Sequence, residues 1–436
     1  MLSLCFLTVL AASETTTRAL SLAEAIELGV AKDPKLGLAS IEQRSAELAV
    51  FRSRLDQITL RSDAQLQELW ARTGMGGDQA ASLGLGLSSV NASVGLPIFA
   101  GFRLQAGMER ADALSAASAQ DLETARRLSA ASVARAYWAV RKLELLVAVQ
   151  GDALARSARA EEIATARVAA GLAPVLDQNR ARQKRLAAEA TLVDLRGRTQ
   201  VASAELLTLL GLEAPVRLSD PVSAGRPEIS WTEALRQAHE RRPDLRAAAL
   251  RIDAQREGVR IAESAYYPEL DAQATLQVGN NPLIPGVGSR SVSGSANPFA
   301  DVRADLQLGL SVSINLFDTL HTKNQVDQAK LEVERRQTEA RSLDREVERE
   351  VKEAVAAVAH LDGLLRGLAP AKALAQDNLE IIQKRYENGE ALVFELLDAE
   401  IDLLGIERQL TEASAERTLA ELLLQAATGA PLGTNL

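Results

Sequence analysis

The sequence predicts a mainly α protein with transmembrane β-strands, built from a duplicated helix-strand-strand-helix-helix unit. Three observations carry this. Blocks of residues recur at a nearly fixed offset along the whole chain. Long stretches rich in Ala, Leu, Arg and Glu carry a heptad. About four segments alternate apolar and polar residues, one of them for longer than a soluble edge strand needs.

The bulk numbers narrow the class. Of 436 residues 47% are hydrophobic but only 3% aromatic, which favours close-packed helices over a sandwich of aromatic cross-strand pairs. A net charge of −9 gives no electrostatic reason to bind nucleic acid. One cysteine, Cys5, excludes a disulfide within the chain. His239, His321 and His360 lie too far apart for a Cys/His metal cluster, so no metal or cofactor is expected.

At the start, the apolar run Leu2 to Ala12 and the small residues Ala11-Ala12-Ser13 read as an export signal over residues 1–13, although no Lys or Arg precedes the run. Lipidation through Cys5 is the weaker reading, because Leu4 is bulkier than the small residue such a site prefers. No stretch reaches the roughly 18 apolar residues that a spanning helix needs, so any membrane crossing must be made by strands.

The repeat divides the chain into residues 14–229 and 230–436. Ser21-Leu-Ala-Glu24-Ala25 matches Ser230-Trp-Thr-Glu233-Ala234, and Asp33-Pro34-Lys35-Leu36 matches Arg242-Pro243-Asp244-Leu245, at an offset of 209. Val94 to Phe99 matches Val312 to Phe317 at an offset of 218, which holds onward: Gly171 falls on Gly389 and Gly211 on Gly429. The nine extra residues are placed in the Gly/Pro/Ser/Asn-rich loop Gly279 to Pro298.

Each copy opens on helices and continues into two strands, expected at about 58–70 and 84–99, then 267–279 and 301–317. From Val302 to Leu316 every even position is apolar, while the odd positions from Asp301 to Asn315 are polar, charged or Gly. Leu270 to Val278 alternates likewise; Val90 to Ile98 is noisier, and Ile58 to Leu66 alternates only in part. A spanning strand needs about 9–11 such residues.

A long helix follows the strands. No proline stands between Pro97 and Pro174, room for a helix of about 100 Å at 1.5 Å per residue. In the second copy Val326, Val333, Ala340, Val347, Ala354, Leu361 and Leu368 recur every seventh residue as a coiled-coil seam. Pro370 is expected to kink or interrupt that helix. Each long helix turns back at a glycine, Gly171 or Gly389, suited to the left-handed cap position.

Four strands cannot close a barrel, and an open edge in lipid leaves backbone groups unsatisfied, so self-association is required. Multiples of four are allowed; the strand count alone does not choose three.

Taken in order and duplicated, these features resemble the TolC-like outer-membrane efflux and secretion duct family. The residues that carry the resemblance are the Glu24 to Leu36 and Glu233 to Leu245 openings, Tyr267-Pro268, and the tip motif Arg385-Tyr386-x-x-Gly389 with Leu397-Asp398-Ala399. The resemblance implies a homotrimer with a twelve-stranded barrel in outer-membrane lipid and a periplasmic α-barrel. It implies a periplasmic adaptor and an inner-membrane pump or ABC transporter as partners, and no catalysis.

Matching the tip motif points to Asp177, Tyr386, Glu395 and Asp398 at the periplasmic constriction, and to Gly171, Leu172, Gly389, Glu390 and Ala391 as the adaptor-facing tips. Three copies of each acid would form carboxylate rings that attract cations. For Asp177 and Asp398 helix capping is the other reading. Tyr386 is expected either to hydrogen-bond a neighbouring helix or only to pack. The position two after the tip glycine, often Arg in the family, is Ala391, which carries no charge for a salt-bridge lock.

A soluble coiled-coil protein would account for the heptads but not for the strands or the export signal. An enzyme is disfavoured, because the sequence holds no G-x-S-x-G elbow, no P-loop and no nucleophile-base pair.

Overall fold

The computed structural model describes residues 19–56, 59–72, 82–222, 229–279, 303–314 and 319–432. The export segment with Cys5 and residues 280–298 of the expected loop lie outside them.

In chain order the elements are β1 (Ala19–Leu20), α1 (Leu22–Lys32), α2 (Pro34–Leu55), β2 (Thr59–Arg72), β3 (Ser82–Ala100), α3 (Arg103–Ala169), α4 (Val175–Leu210), β4 (Arg217–Leu218), α5 (Trp231–Arg241), α6 (Pro243–Glu263), β5 (Glu269–Gly279), β6 (Arg303–Ser313), α7 (Thr319–Glu387) and α8 (Val393–Ala427). A helix pair, two strands, a long helix and a return helix thus occur twice.

Local chemistry explains the repeated starts. Ser21 and Ser230 both cap their helices, each hydroxyl accepting the N–H of the residue three on, Glu24 or Glu233, at 3.3 Å. Pro34 and Pro243 then occupy the first position of α2 and α6, where a missing N–H costs nothing.

α3 and α7 run 67 and 69 residues without a break. The expected interruption at Pro370 does not occur: α7 continues through it. Pro370 lies on an exposed face, where solvent can satisfy the carbonyl it leaves unpaired. The nearby seam residues Leu361 and Leu368 stay packed, together with Leu365. All seven heptad residues are buried or half-buried.

The chain forms two compact units, and each draws on both repeats. The first comprises Met1–Ser40, Asp121–Asp244 and Leu343–Leu436. Its core is rich in Ala, with Tyr137 and Trp138 fully buried among Leu20, Leu22, Leu206, Leu210 and Leu218. The short parallel pair β1–β4 closes it, and the Tyr137 hydroxyl donates to the Leu20 carbonyl at 3.0 Å. In the second repeat the same unit is tied by Arg242, which donates to Asp244, to Glu350 at 2.6 Å and to the Ala427 carbonyl at 3.2 Å.

The second unit, Ile41–Gln120 and Leu245–Ser342, holds an antiparallel sheet in the order β2-β3-β5-β6. Its register aligns the apolar rows. Ala92, Leu276 and Leu306 stand side by side, as do Val94, Ala274 and Leu308, and Leu96, Ala272 and Leu310. The other face carries Asn91, Gln277 and Asp305, then Ser93, Thr275 and Gln307.

The apolar rows are uncovered: Leu306, Leu308, Leu310 and Val312 are 68–75% exposed. From Ala304 to Ile314 the band runs about 33 Å along the strand, or about 25 Å in height at the tilt of a membrane barrel. Phe99, Phe102 and Tyr267 pack edge to face at the end where β3 passes into α3. Among the described residues no helix is long and apolar enough to cross a membrane.

Candidate functional site

The two hairpin tips are built alike. At the first, the Gly171 N–H donates to the Val168 carbonyl at 3.0 Å and the Leu172 N–H to Arg167 at 2.9 Å. At the second, Gly389 donates to Tyr386 at 3.1 Å and Glu390 to Arg385 at 2.8 Å. This is the paired-bond ending of a helix that needs a left-handed residue, and both glycines supply it with φ of +72° and +84°. Leu172 is 70% exposed, and Glu390 is exposed beside Gly389. Ala391 differs from the other tip residues: only 8% exposed, its methyl turns inward among Tyr386, Val393 and Leu396.

Tyr386 is the largest side chain of that cluster and is 2% exposed. Arg167, from the other hairpin, donates to the Tyr386 carbonyl and lies over its ring, 5.1 Å from the centroid. The Tyr386 hydroxyl is buried without a hydrogen-bond partner in the protomer, so the expected bond to a neighbouring helix is not made within one chain. Burial pushes its pKa up; the Arg167 guanidinium opposes that shift and the Asp177 carboxylate adds to it.

The three acids occupy different helical positions. Asp177 and Glu395 are counterparts under the 218 offset and both stand third in their helices, α4 and α8. Glu395 accepts the Leu392 N–H at 3.0 Å, and so holds the start of α8. Asp398 lies in the second turn of α8 and is exposed. The capping reading therefore fails for Asp398. It fails for Asp177 as an N-cap, which Pro174 occupies, although Asp177 still favours the positive end of α4.

Glu395, Asp398 and Asp402 form one acidic row at i, i+3 and i+7, lining a groove of about 640 Å³ between α7 and α8 with Arg385, Leu374 and Ile382. Asp402 and Arg167 were not singled out in the sequence. The helical spacing from Glu395 would have found Asp402. Nothing local announces Arg167, whose partner is 219 residues away.

Beside the row, Glu400 points the other way and is 7% exposed. It accepts from Ser157 at 3.4 Å in a small cavity of about 120 Å³ walled by α3, α4 and α8. Burial raises its pKa, against the pull of Arg156 and Lys184. A carboxyl raised in the folded state takes up its proton before the unfolded chain does. The burial penalty is therefore fully present above the folded value and is relieved as pH falls through it. Glu400→Gln is expected to raise the melting temperature at pH 8 and to lose that advantage at pH 4. A larger loss of stability at pH 8 than at pH 4 would show the charged form to be the stabilising one.

Among the described residues no group of three His, Cys, Asp or Glu is placed to hold a metal ion.

Residues 40–212 and 234–430 each match the family model described as outer membrane efflux protein. Protein CyaE of Bordetella pertussis is 30% identical over 428 residues, covering 94% of this chain and 84% of that protein. Among solved structures, CusC superposes with a TM-score of 0.80 at 16% identity, covering 94% of this chain and 92% of that one. The outer membrane protein VceC of Vibrio cholerae gives 0.76 at 19% identity, covering 94% and 96%. These two likenesses show a shared fold.

Proposed function

From the premise that the chain belongs to the outer membrane efflux protein family, we propose that three copies assemble into an exit duct served by an inner-membrane transporter and a periplasmic adaptor. The protein is an outer-membrane channel reaching into the periplasm, and it conducts rather than catalyses. One observation carries the assembly: among the described residues, a four-stranded sheet with two unpaired edges and a bare apolar face on β5 and β6. In lipid both edges must be paired, and further copies supply the partners. Three copies give twelve strands, within the range of closed membrane barrels. The same bare face argues against a soluble coiled-coil protein, which would have to leave it in water.

In this reading the tips at Gly171, Leu172, Gly389 and Glu390 meet the adaptor, with Ala391 supporting them from inside. Tyr386 holds the closed end, and Asp177 contributes a ring of carboxylates. The row containing Glu395 and Asp398 lines the narrowest passage as rings of carboxylates.

Asp398→Ala is the cleanest test of the rings, because Asp398 is exposed and caps nothing. Single-channel recordings are expected to show reduced cation preference in this variant. Unchanged selectivity in Asp398→Ala, and likewise in Asp177→Ala and Glu395→Ala, would remove the acidic constriction from the account.

A further inference from the structure

The two repeats build the same corner of the first compact unit from different side chains. In the first repeat Tyr137 fills it, fully buried with Leu20, Leu206 and Leu210, and with Leu28 and Leu212 packed at the edge. The Tyr137 hydroxyl donates to the Leu20 carbonyl at 3.0 Å and to the Asp220 carboxylate. The repeat offsets carry Tyr137, Leu20, Leu206, Leu210, Leu28 and Leu212 onto Val355, Ile229, Leu424, Thr428, Gln237 and Ala430. All six counterparts line one cavity of about 280 Å³ between α5, α7 and α8.

The exchange of residues accounts for the cavity. Valine in place of Tyr137 removes a ring and its hydroxyl. Threonine, glutamine and alanine stand where the first repeat has leucines. An apolar cavity of about 150 Å³ is enough to take up benzene, so this one has room for a substituted ring. Its walls are apolar with a few polar groups, as in small-molecule sites.

The polar groups narrow the choice of ligand. Arg417 is 4% exposed and donates to Asp362 at 2.8 Å and to Glu421 at 2.6 Å. Arg417 and Glu421 line the cavity where the first repeat has Thr199 and Ser203, and Arg241 stands at its exposed rim. Two cations are thus matched by two carboxylates, which leaves no net charge to recruit an ion. The Leu20 carbonyl, which accepts the Tyr137 hydroxyl, has the Ile229 carbonyl as its counterpart. The corner therefore asks for an aromatic ring that carries a hydroxyl donor.

We infer that this cavity is a binding site for a neutral single-ring phenol, whose ring takes the place of the Tyr137 ring and whose hydroxyl donates to the Ile229 carbonyl. The site belongs to the second repeat and does not depend on how the barrel assembles. Thr428, at the C-cap of α8, is part of its wall, so a bound phenol joins the end of that helix to α7 and stabilises the unit.

The test uses the full chain in lipid nanodiscs, where no detergent competes for the site. Phenol is expected to bind once per chain and to raise the melting temperature with concentration. Val355→Tyr supplies the ring and hydroxyl from the chain itself. It is expected to melt higher than the parent without ligand and to bind phenol about tenfold more weakly, because the space is filled. Val355→Phe should block phenol equally but gain less stability, having no donor for the Ile229 carbonyl. Ala430→Leu restores the counterpart of Leu212; it is a milder filling that keeps the test open if Val355→Tyr does not fold, and it too should weaken binding. Phenol uptake unchanged in the filled variants would place the phenol in lipid and overturn the site. Benzoate binding as tightly as phenol would make it an anion site instead. A parent chain that takes up no phenol, while Val355→Tyr gains stability, would reduce the cavity to a packing defect. Val355→Phe melting as high as Val355→Tyr would remove the hydroxyl from the assignment.

Discussion

Leu308→Arg is expected to abolish accumulation of the assembled channel in the outer membrane, while Gln307→Arg, one residue earlier, is tolerated. The two residues lie on opposite faces of β6. Leu308 stands in the middle of the apolar band, beside Ala274 and Val94, and is 75% exposed in the single chain. An arginine at the bilayer midplane of a membrane barrel costs about 2–4 kcal/mol. Three copies multiply that cost in one barrel, a large fraction of ordinary folding stability. Gln307 shares its row with Thr275 and Ser93 on the polar face, where a cation is hydrated by the lumen. The check is the heat-modifiable oligomer in membrane fractions. Equal yields of the two variants would mean that the band does not face lipid.

Arg242→Ala has the second largest expected effect, and it acts on the first compact unit. Arg242 is 4% exposed and grips Asp244 through two nitrogens, at 3.1 and 2.7 Å, while also holding Glu350 and the end of α8. Arg127 shares Asp244 and donates to the Ala426 carbonyl at 2.8 Å. Removing one partner of a buried charge pair costs about 3–5 kcal/mol, because the other is left in a poor solvent. Arg127 keeps part of the compensation, so the loss should fall at the lower end of that range. Thermal unfolding of the purified protein measures it. Arg242→Met/Asp244→Leu should recover part of the loss, since an apolar replacement of both partners leaves no charge stranded. A loss under about 1 kcal/mol in Arg242→Ala would reduce the cluster to surface decoration.

The same position shows how far the sequence could be read. Asp33 and Arg242 are counterparts by register, and the sequence placed both before a helix-starting proline. It did not reveal that the first copy closes differently, with Lys32 donating to the Gly211 carbonyl at 2.7 Å. Period-two alternation located the strands and the heptad located the seam, because both are local patterns of burial. Which face of the sheet is bare depends on pairings as distant as Ser89 with Gly279. At Pro370 the helix is not interrupted, because an exposed position tolerates the missing hydrogen bond. At Glu395 local pattern offered an acid for a carboxylate ring but did not reveal that the carboxylate holds the start of its own helix. Tyr386 was legible as a tip residue. Its partner Arg167 was not, although the same arginine recurs in the second copy as Arg385.

The central claim is that a single chain cannot seal its own membrane wall and obtains the missing strands from its copies. Counting the protomers in detergent-extracted outer-membrane material by native mass spectrometry tests it most directly. The account predicts three copies in a particle that forms pores in lipid. A water-soluble monomer with no pore activity would contradict it.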